Sequence, residues 1–429
     1  MKDEQKIPLR RPNPFEAAVQ VIAILKDAGH EALLAGGCVR DMLLNREPND
    51  FDIATSATPD EVEGLFENCK AVGKAFGVVI VNIDKAEGQG RWDIEVATFR
   101  VDGEYIDGRR PDSVTFATAK EDAERRDFTI NGLFADLDVF SDDGEMTLID
   151  YVDGANDLQE GVIKAIGDPN KRFEEDYLRT LRAVRFAARY GFSIEEHTAN
   201  AIRFNAENLS KISRERIGNE LRKMISSAGA CLAMDLIHNL GLDGPILGEE
   251  CRTSKCFIDK SLPAKANFAT RMATWLVDRY GLATPLLHET MKQWSEALCL
   301  TRDEYKEIAQ RVEHCKALYR WDDMTVSGKK RFINGSINWY QNVIFFMAVD
   351  GTGNRLMGET RELMEDGVGL EPDPFLNGND VIDAGIIPGP NVKVMLDQAY
   401  DMQLEGDLKN RDEAMDWLTK SVYTISQVV

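Results

Sequence analysis

LLAGGCVRDMLLNREPNDFDIATS, residues 33–56, is the stretch on which the reading of this chain turns. A short apolar run meets Gly36 and Gly37, then Arg40 and Asp41, then Asp50-Phe51-Asp52. Paired glycines let the backbone approach a phosphate closely, and the turn after them presents N–H groups to it. Arg40 supplies a guanidinium for phosphate charge. Asp50 and Asp52 stand two apart, so on a strand both carboxylates point to one face. Two carboxylates on one face beside a phosphate cradle suit a hard divalent cation such as Mg²⁺. The chemistry this predicts is two-metal phosphoryl transfer, with an attacking hydroxyl and a leaving diphosphate. A glycine pair alone, or an Asp-x-Asp alone on a solvated strand, reads as structural; the combination at this spacing favours function.

Three further blocks extend the site. In WDIEVATFR (92–100) Asp93 and Glu95 share a strand face, with Ile94 and Val96 opposite. One of the two acids is expected to be a third site carboxylate that takes the proton of the incoming hydroxyl. Glu95, at mid-strand, is preferred over Asp93, and a solvated strand face is the competing reading. ERRDFTING (124–132) gathers Arg125, Arg126, Asp127 and Asn131. Arg126 suits a triphosphate, while Asp127 and Asn131 suit a ribose or a helix cap.

In EEDYLRTLRAVRFAARYGF (174–192) the apolar positions Leu178, Leu181, Val184 and Ala188 recur at helical spacing, and Gly191 closes the run. The same helix is expected to carry Glu175, Asp176, Arg179, Arg182 and Arg185 as nucleotide-binding residues. Asp176 and Arg179, three apart, face the same way. They read either as a surface ion pair of little worth or as a base-reading pair. Cytosine and adenine both offer a ring-nitrogen acceptor beside an amino donor, which one arginine and one carboxylate match; guanine and uracil reverse that pattern. Such a pair selects CTP and ATP together. Arg182 and Arg185 are available to phosphates or as packing stems.

The 429 residues, 43% hydrophobic and 29% charged, have globular composition. Residues 1–150 mix strands such as VVIVNID (78–84) with short helices, among them Asn13–Lys26, ended by Gly29, and one opening at Thr58-Pro59. Beyond about 170 the pattern is helical, with loops expected near 243–266 and 321–336 and a Pro/Gly-rich segment at 371–380. The fold class expected is α+β: a mixed-sheet head followed by helices. The net charge of −22 speaks against a surface that coats nucleic acid throughout. It is uneven: Lys171 to Lys223 holds 12 basic and 8 acidic residues, a net of +4, which leaves −26 elsewhere. No long apolar run predicts a membrane span, the N-terminal segment lacks the core of a secretory signal, and seven scattered cysteines form no Cys-x-x-Cys pair. A reduced, cytoplasmic protein is expected.

GGCVRD (36–41), DFD (50–52), RRDFTIN (125–131), the 174–192 segment and ISRERIGNELRKM (212–224) together resemble the class II tRNA nucleotidyltransferases and the related bacterial poly(A) polymerases, of the polymerase-β-like superfamily. The tail at 377–406 is similar to the same family less tightly. The resemblance implies a nucleotidyltransferase head (1–150), a neck bearing the base-template helix (151–225), a helical body (226–345) and a helical, tRNA-binding tail (346–429). It implies that Asp50 and Asp52 are the metal ligands, with Mg²⁺ as cofactor. Gly36, Gly37 and Arg40 fall at the triphosphate, and Arg126, Asp176, Arg179, Arg182 and Arg185 on nucleotide-binding positions. The reaction implied is addition of CCA to a tRNA 3′ end from CTP and ATP. The loop VDGEYIDGRRPDSVTF (101–116), with Asp107, Arg109 and Arg110, favours AMP addition and is the expected element for the change from CTP to ATP. Gly132 stands where many members of the family carry alanine. An A-adding enzyme or poly(A) polymerase, and a non-catalytic RNA-binding descendant of the fold, are the competing readings. The acidic end weighs against the polymerase: residues 401–429 hold three basic and six acidic side chains, a net of −3.

Overall fold

The computed structural model describes residues 13–73, 76–85, 90–103, 113–138, 146–249, 262–283 and 287–426. The chain forms two compact units, 1–251 and 252–429.

The first unit opens with helix α1 (Pro14–Asp27). Asn13 caps it reciprocally with Glu16, Pro14 starts it, and Ala17, Ala18, Val21, Ile22 and Leu25 form its fully buried face. Strand β1 (Ala32–Ala35) is buried along its whole length and runs into Gly36, helix α2 (Gly37–Leu43) and strand β2 (Asp52–Thr55). Thr58 and Pro59 start α3 (Pro59–Leu65) with a second capping box. Then come β3 (Cys69–Gly73), β4 (Val78–Asp84), β5 (Arg91–Thr98), β6 (Arg100–Asp102) and β7 (Val114–Phe116). Helix α4 (Ala119–Glu124) precedes β8 (Leu133–Leu137) and β9 (Met146–Asp150).

Seven strands make one mixed sheet in the order β3-β4-β5-β2-β1-β8-β9. Only β2 and β5 pair in parallel, with Asp52 opposite Glu95; every other neighbouring pair is antiparallel. β6 and β7 pair separately at the two ends of the 101–116 loop. Residues 104–112 of that loop, with Asp107, Arg109 and Arg110, lie outside the described residues.

After the sheet the first unit becomes helical: α5 (Gly154–Glu160), α6 (Pro169–Glu175), α7 (Leu178–Tyr190), α8 (Glu196–Asn205), α9 (Arg214–Ile225), α10 (Ala230–Asn239) and α11 (Asp243–Leu247). A short parallel pair, β10 (Val162–Ile163) with β11 (Ser193–Ile194), sits among them. The helix expected across 174–192 is two helices. Asp176 is extended (φ −155°, ψ 104°), and its carboxylate accepts the Leu178 N–H at 3.0 Å. A short acid that takes a nearby backbone N–H competes with the helix itself.

The second unit is helical among its described residues: α12 (Phe268–Tyr280), α13 (Leu287–Leu298), α14 (Arg302–Leu318), α15 (Val326–Asn334), α16 (Trp339–Asp350), α17 (Gly353–Glu365), α18 (Gly378–Asp383), α19 (Pro390–Glu405) and α20 (Arg411–Ser426). The loop expected at 321–336 is thus corrected to include α15. Its Lys329-Lys330-Arg331 run hides the periodicity, because Lys330 is itself fully buried, paired to Asp366 at 2.6 Å and donating to the Leu404 carbonyl at 2.9 Å. α11 likewise occupies the start of the loop expected at 243–266. No helix of the described residues is long and apolar enough to cross a membrane.

Candidate active site

A cavity of about 600 Å³ opens in the first unit, between the sheet and helices α7 and α9. Among its lining residues are Gly36, Gly37, Arg40, Asp50, Asp52, Glu95, Arg126, Asp127, Asn131, Asp176, Arg179, Arg182 and Arg185. The structure therefore brings together the expected site residues with one exception. Glu175 does not line the cavity; it stands behind Arg179, whose guanidinium donates to its carboxylate. Nine arginines and five carboxylates line the whole space, a formal +4 in a chain of −22.

The acidic wall follows from strand geometry. Phe51 is buried against Phe15 of α1, with ring centroids 5.5 Å apart. Alternation then turns the flanking Asp50 and Asp52 the other way, into the cavity. Asp50 lies just before β2 rather than on it. The parallel register with β5 sets Glu95 beside Asp52. Asp93, two residues on, faces Asn82, whose side-chain amide donates to it at 2.7 Å. Burial, then Glu95 and Asp50, push the Asp52 carboxyl up to about 7, against the pull of Arg126. Desolvation, then Asp50, raise Glu95 as well, against Arg100. This is a place where negative charge is crowded and wants a cation. The donors are carboxylate oxygens, which suit a hard divalent ion. Among the described residues no three metal-ligating side chains are grouped tightly enough to hold an ion alone.

The basic wall is held by buried acids. Gly36 has φ +67°, and a Cβ there would lie 2.7 Å from Nη1 of Arg126. Only glycine lets that guanidinium lie against the β1–α2 turn. Arg126 also donates to the Asn131 carbonyl at 3.2 Å. Its other donors go to Asp122, 1% exposed, which accepts from Arg126 Nε and Nη2 at 3.1 and 3.0 Å and from Arg125 Nη2 at 2.6 Å. Burial works against the Asp122 charge, yet Arg126 and Arg125 hold its carboxyl below the usual range. The sequence reading missed Asp122. Its signal was there in the i, i+3 and i, i+4 spacing to the two arginines.

Asp127 and Asn131 form a buried hub. Asp127 accepts from Asn131 Nδ2 at 2.9 Å and pairs with Arg182 at 2.6 Å, while Asn131 Oδ1 accepts from Arg40. Burial opposes the Asp127 charge, but Arg182, the Asn131 hydrogen bond and Arg179 hold its carboxyl well below the usual range. Arg40 in turn pairs with Asp41 at 2.8 Å and lies over the Tyr190 ring at 4.9 Å.

Asp176 and Arg179 both line the cavity, and the Arg179 backbone N–H donates to the Asp176 carbonyl at 3.0 Å. Asp176 pairs with Arg216 of α9 at 2.6 Å, and Arg179 with Glu175. Arg185 pairs with Glu220, also of α9, at 2.7 Å. Arg216 and Glu220 are one helical turn apart, so one face of α9 backs both residues. Neither was singled out from the sequence, because nothing local says which distant acid or base they meet.

A mixed sheet of this order, followed by helices, is that of a polymerase-β-like nucleotidyltransferase. Residues 32–164 match the poly A polymerase head domain family, and residues 191–249 the family described as a probable RNA and SrmB-binding site of polymerase A. The CCA-adding enzyme of Limosilactobacillus fermentum is 34% identical over 408 residues, spanning 93% of this chain and 95% of that protein. That of Lactobacillus johnsonii is 31% identical over 414 residues, spanning 94% and 96%. The crystal structure of the Bacillus stearothermophilus CCA-adding enzyme in complex with CTP superposes with a TM-score of 0.73 at 28% identity, covering 97% of this chain and 100% of that one. The chain belongs to the CCA-adding enzyme family.

Proposed function

We propose that this chain adds CCA to the 3′ end of tRNA from CTP and ATP, releasing diphosphate, with Mg²⁺ held at Asp50 and Asp52. The observation that carries the reading is the single cavity in which the Asp50/Asp52/Glu95 wall faces the arginines at 126, 179 and 182. When bound, the divalent ions neutralise triphosphate charge and favour ionisation of the attacking 3′-hydroxyl. Asp50 and Asp52 hold them. Glu95, beside Asp52, is placed to take the hydroxyl proton. Arg40 and Arg126 stand at the triphosphate, Arg126 oriented by Asp122 and Arg40 by Asp41 and Asn131. Asp176 accepts from the amino group of cytosine or adenine, and Arg179 donates to the ring nitrogen. Arg182 and Arg185 complete the wall. A tRNA substrate and free thiols such as Cys38 and Cys315 fit a cytoplasmic location.

The test is incorporation on tRNAs ending at the discriminator base, at −C and at −CC, with labelled CTP and ATP supplied separately and the products sequenced. The expected result is CCA addition that stops after three nucleotides. A long adenosine tail would establish the polymerase reading instead, addition of A alone the A-adding one, and no incorporation with Mg²⁺ the non-catalytic one.

A further inference from the structure

Arg172 lies on α6, three residues before Glu175, and does not line the catalytic cavity. It borders a separate depression with Val101, Asp102, Arg125 and Glu175. Its guanidinium nevertheless bonds both to the turn that carries Arg126 and to the acid that holds Arg179. Nη2 donates to the Glu124 carbonyl at 2.8 Å and Nη1 to the Arg125 carbonyl at 2.8 Å. These are carbonyls at the C-terminal end of α4, where a helix leaves its last acceptors without partners. A cation at that end is also favoured by the helix dipole. The same turn continues into Arg126 at the triphosphate side of the cavity. Nε donates to the Ile166 carbonyl at 3.3 Å, which fixes the stem of the side chain. On the other side, Nη1 donates to Glu175 Oε2 at 3.0 Å. That carboxylate oxygen is the acceptor for Arg179, and Arg179 Nη1 also donates to the Arg172 carbonyl at 3.0 Å.

We infer that Arg172 is a positioning residue for nucleotide selection: it ties the turn carrying Arg126 to the base-facing Arg179, so the distance between phosphate and base recognition is set by one side chain outside the cavity. Without it Glu175 keeps one cation instead of two and is free to rotate. Arg179 then loses the fixed carboxylate that aims its fork. The α4 carbonyls lose their partner at the same moment, so the triphosphate end loosens too. Selection between bases depends on donors held to within about half an ångström, and a loosened pair discriminates poorly. A lysine keeps the charge but cannot reach four acceptors with one ammonium. The inference rests on the reading that Arg179 faces the nucleotide base.

The experiment uses the full chain with Arg172→Gln and Arg172→Lys, a tRNA ending in −CC, and each of ATP, GTP, CTP and UTP in turn. kcat and KM are measured for each nucleotide, with thermal melting as a check on folding. KM for ATP is expected to rise about tenfold in Arg172→Gln, and the preference for ATP over GTP to fall by about tenfold. kcat at saturating ATP changes less, and Arg172→Lys falls between. A preference ratio and KM equal to those of the unsubstituted chain, with activity lost only in proportion to folded protein, would overturn the inference. If Arg172→Gln does not fold, the ratio in Arg172→Lys decides by the same criterion. An unsubstituted chain that incorporates nothing would sink the function reading and not this one in particular.

Discussion

The cations of the two units are buried to different ends. In the first unit the arginines crowd one cavity, each held by an acid; the side chains of Arg126 and Arg182 stay 20% and 34% exposed, whereas Arg40 is buried. In the second, Arg311 and Lys330 are wholly buried. Arg311 donates to Glu307, to Asn342, to Thr270 at 3.2 Å and to the Asn338 carbonyl at 3.3 Å. Its role is to knit α12, α14 and α16. Burial, against the pull of Glu307, lowers its pKa to about 10. An arginine whose fork is filled by protein has nothing to offer a ligand; one that is aimed but not saturated does. The chemistry of the side chain is the same, and the neighbours decide.

The comparison breaks first at the carboxylates. Asp52→Asn is expected to lower incorporation at least about 10³-fold, the scale of losing a group that stabilises transition-state charge. Because Asp52 is crowded by Glu95 and Asp50, the same change should leave the melting temperature unchanged or raise it. A variant that is active, or one that is inactive only because it is unfolded, would refute the assignment. Arg311→Met is the converse. It leaves Glu307 partly buried without its partner and should cost about 3 kcal/mol of stability in denaturant titration. The KM for ATP measured on folded protein should not change, and a large rise in it would mean that Arg311 is more than a strut.

Asp127 lies between these cases, since it is both buried and on the cavity wall. Asp127→Asn should cost about 2 kcal/mol at neutral pH through the lost charge-assisted bond to Arg182, and should raise the KM for nucleotides. The folded carboxyl titrates below its unfolded value, so its contribution is complete above about pH 4 and is lost as pH falls toward the folded pKa. Urea titrations across pH should therefore show a shallower acid-side loss of stability in the variant than in the unsubstituted chain. Equal slopes would remove Asp127 from the account.

What could be read in the sequence was local. α1 and α3 announce themselves through Asn13, Pro14, Thr58 and Pro59, and β4 and β5 through their composition. The Gly36–Asp52 segment supplies its own phosphate and carboxylate logic within 17 residues. What could not be read was pairing at a distance. Period two puts Asp93 and Glu95 on the same face, and only the β2–β5 register sets Glu95 beside Asp52. Helical spacing made Asp176 and Arg179 neighbours, yet Asp176 leaves the helix to cap Leu178, and each finds another partner. Glu175, expected among the nucleotide-binding residues, lies outside the cavity lining and accepts from Arg172 and Arg179. The stretch 321–336 read as a loop, and its α15 is anchored by the buried Lys330. In each case the deciding partner lies on another element, and no local window contains it.

The smallest expected effect concerns apolar packing in the first unit. Gly132 begins the turn into β8, and a Cβ there would meet Val152 Cγ2 at 2.7 Å and Ile166 Cδ1 at 3.3 Å. Its φ of −89° is open to any residue, so the constraint is space and not backbone conformation. The space a Cβ would need at 132 is thus filled by the β-branched side chain of Val152. Gly132→Ala should destabilise the chain by about 1 kcal/mol, as an added methyl in a packed site does. Val152→Ala should cost a similar amount on its own by opening a small cavity. Combined, the two changes should cost less than their sum, because the methyl added at 132 occupies the room left at 152. Strict additivity in a double-mutant cycle would show that the close approach is relieved some other way. None of the three variants should alter the KM for CTP or ATP, since no arginine or carboxylate of the cavity changes partner.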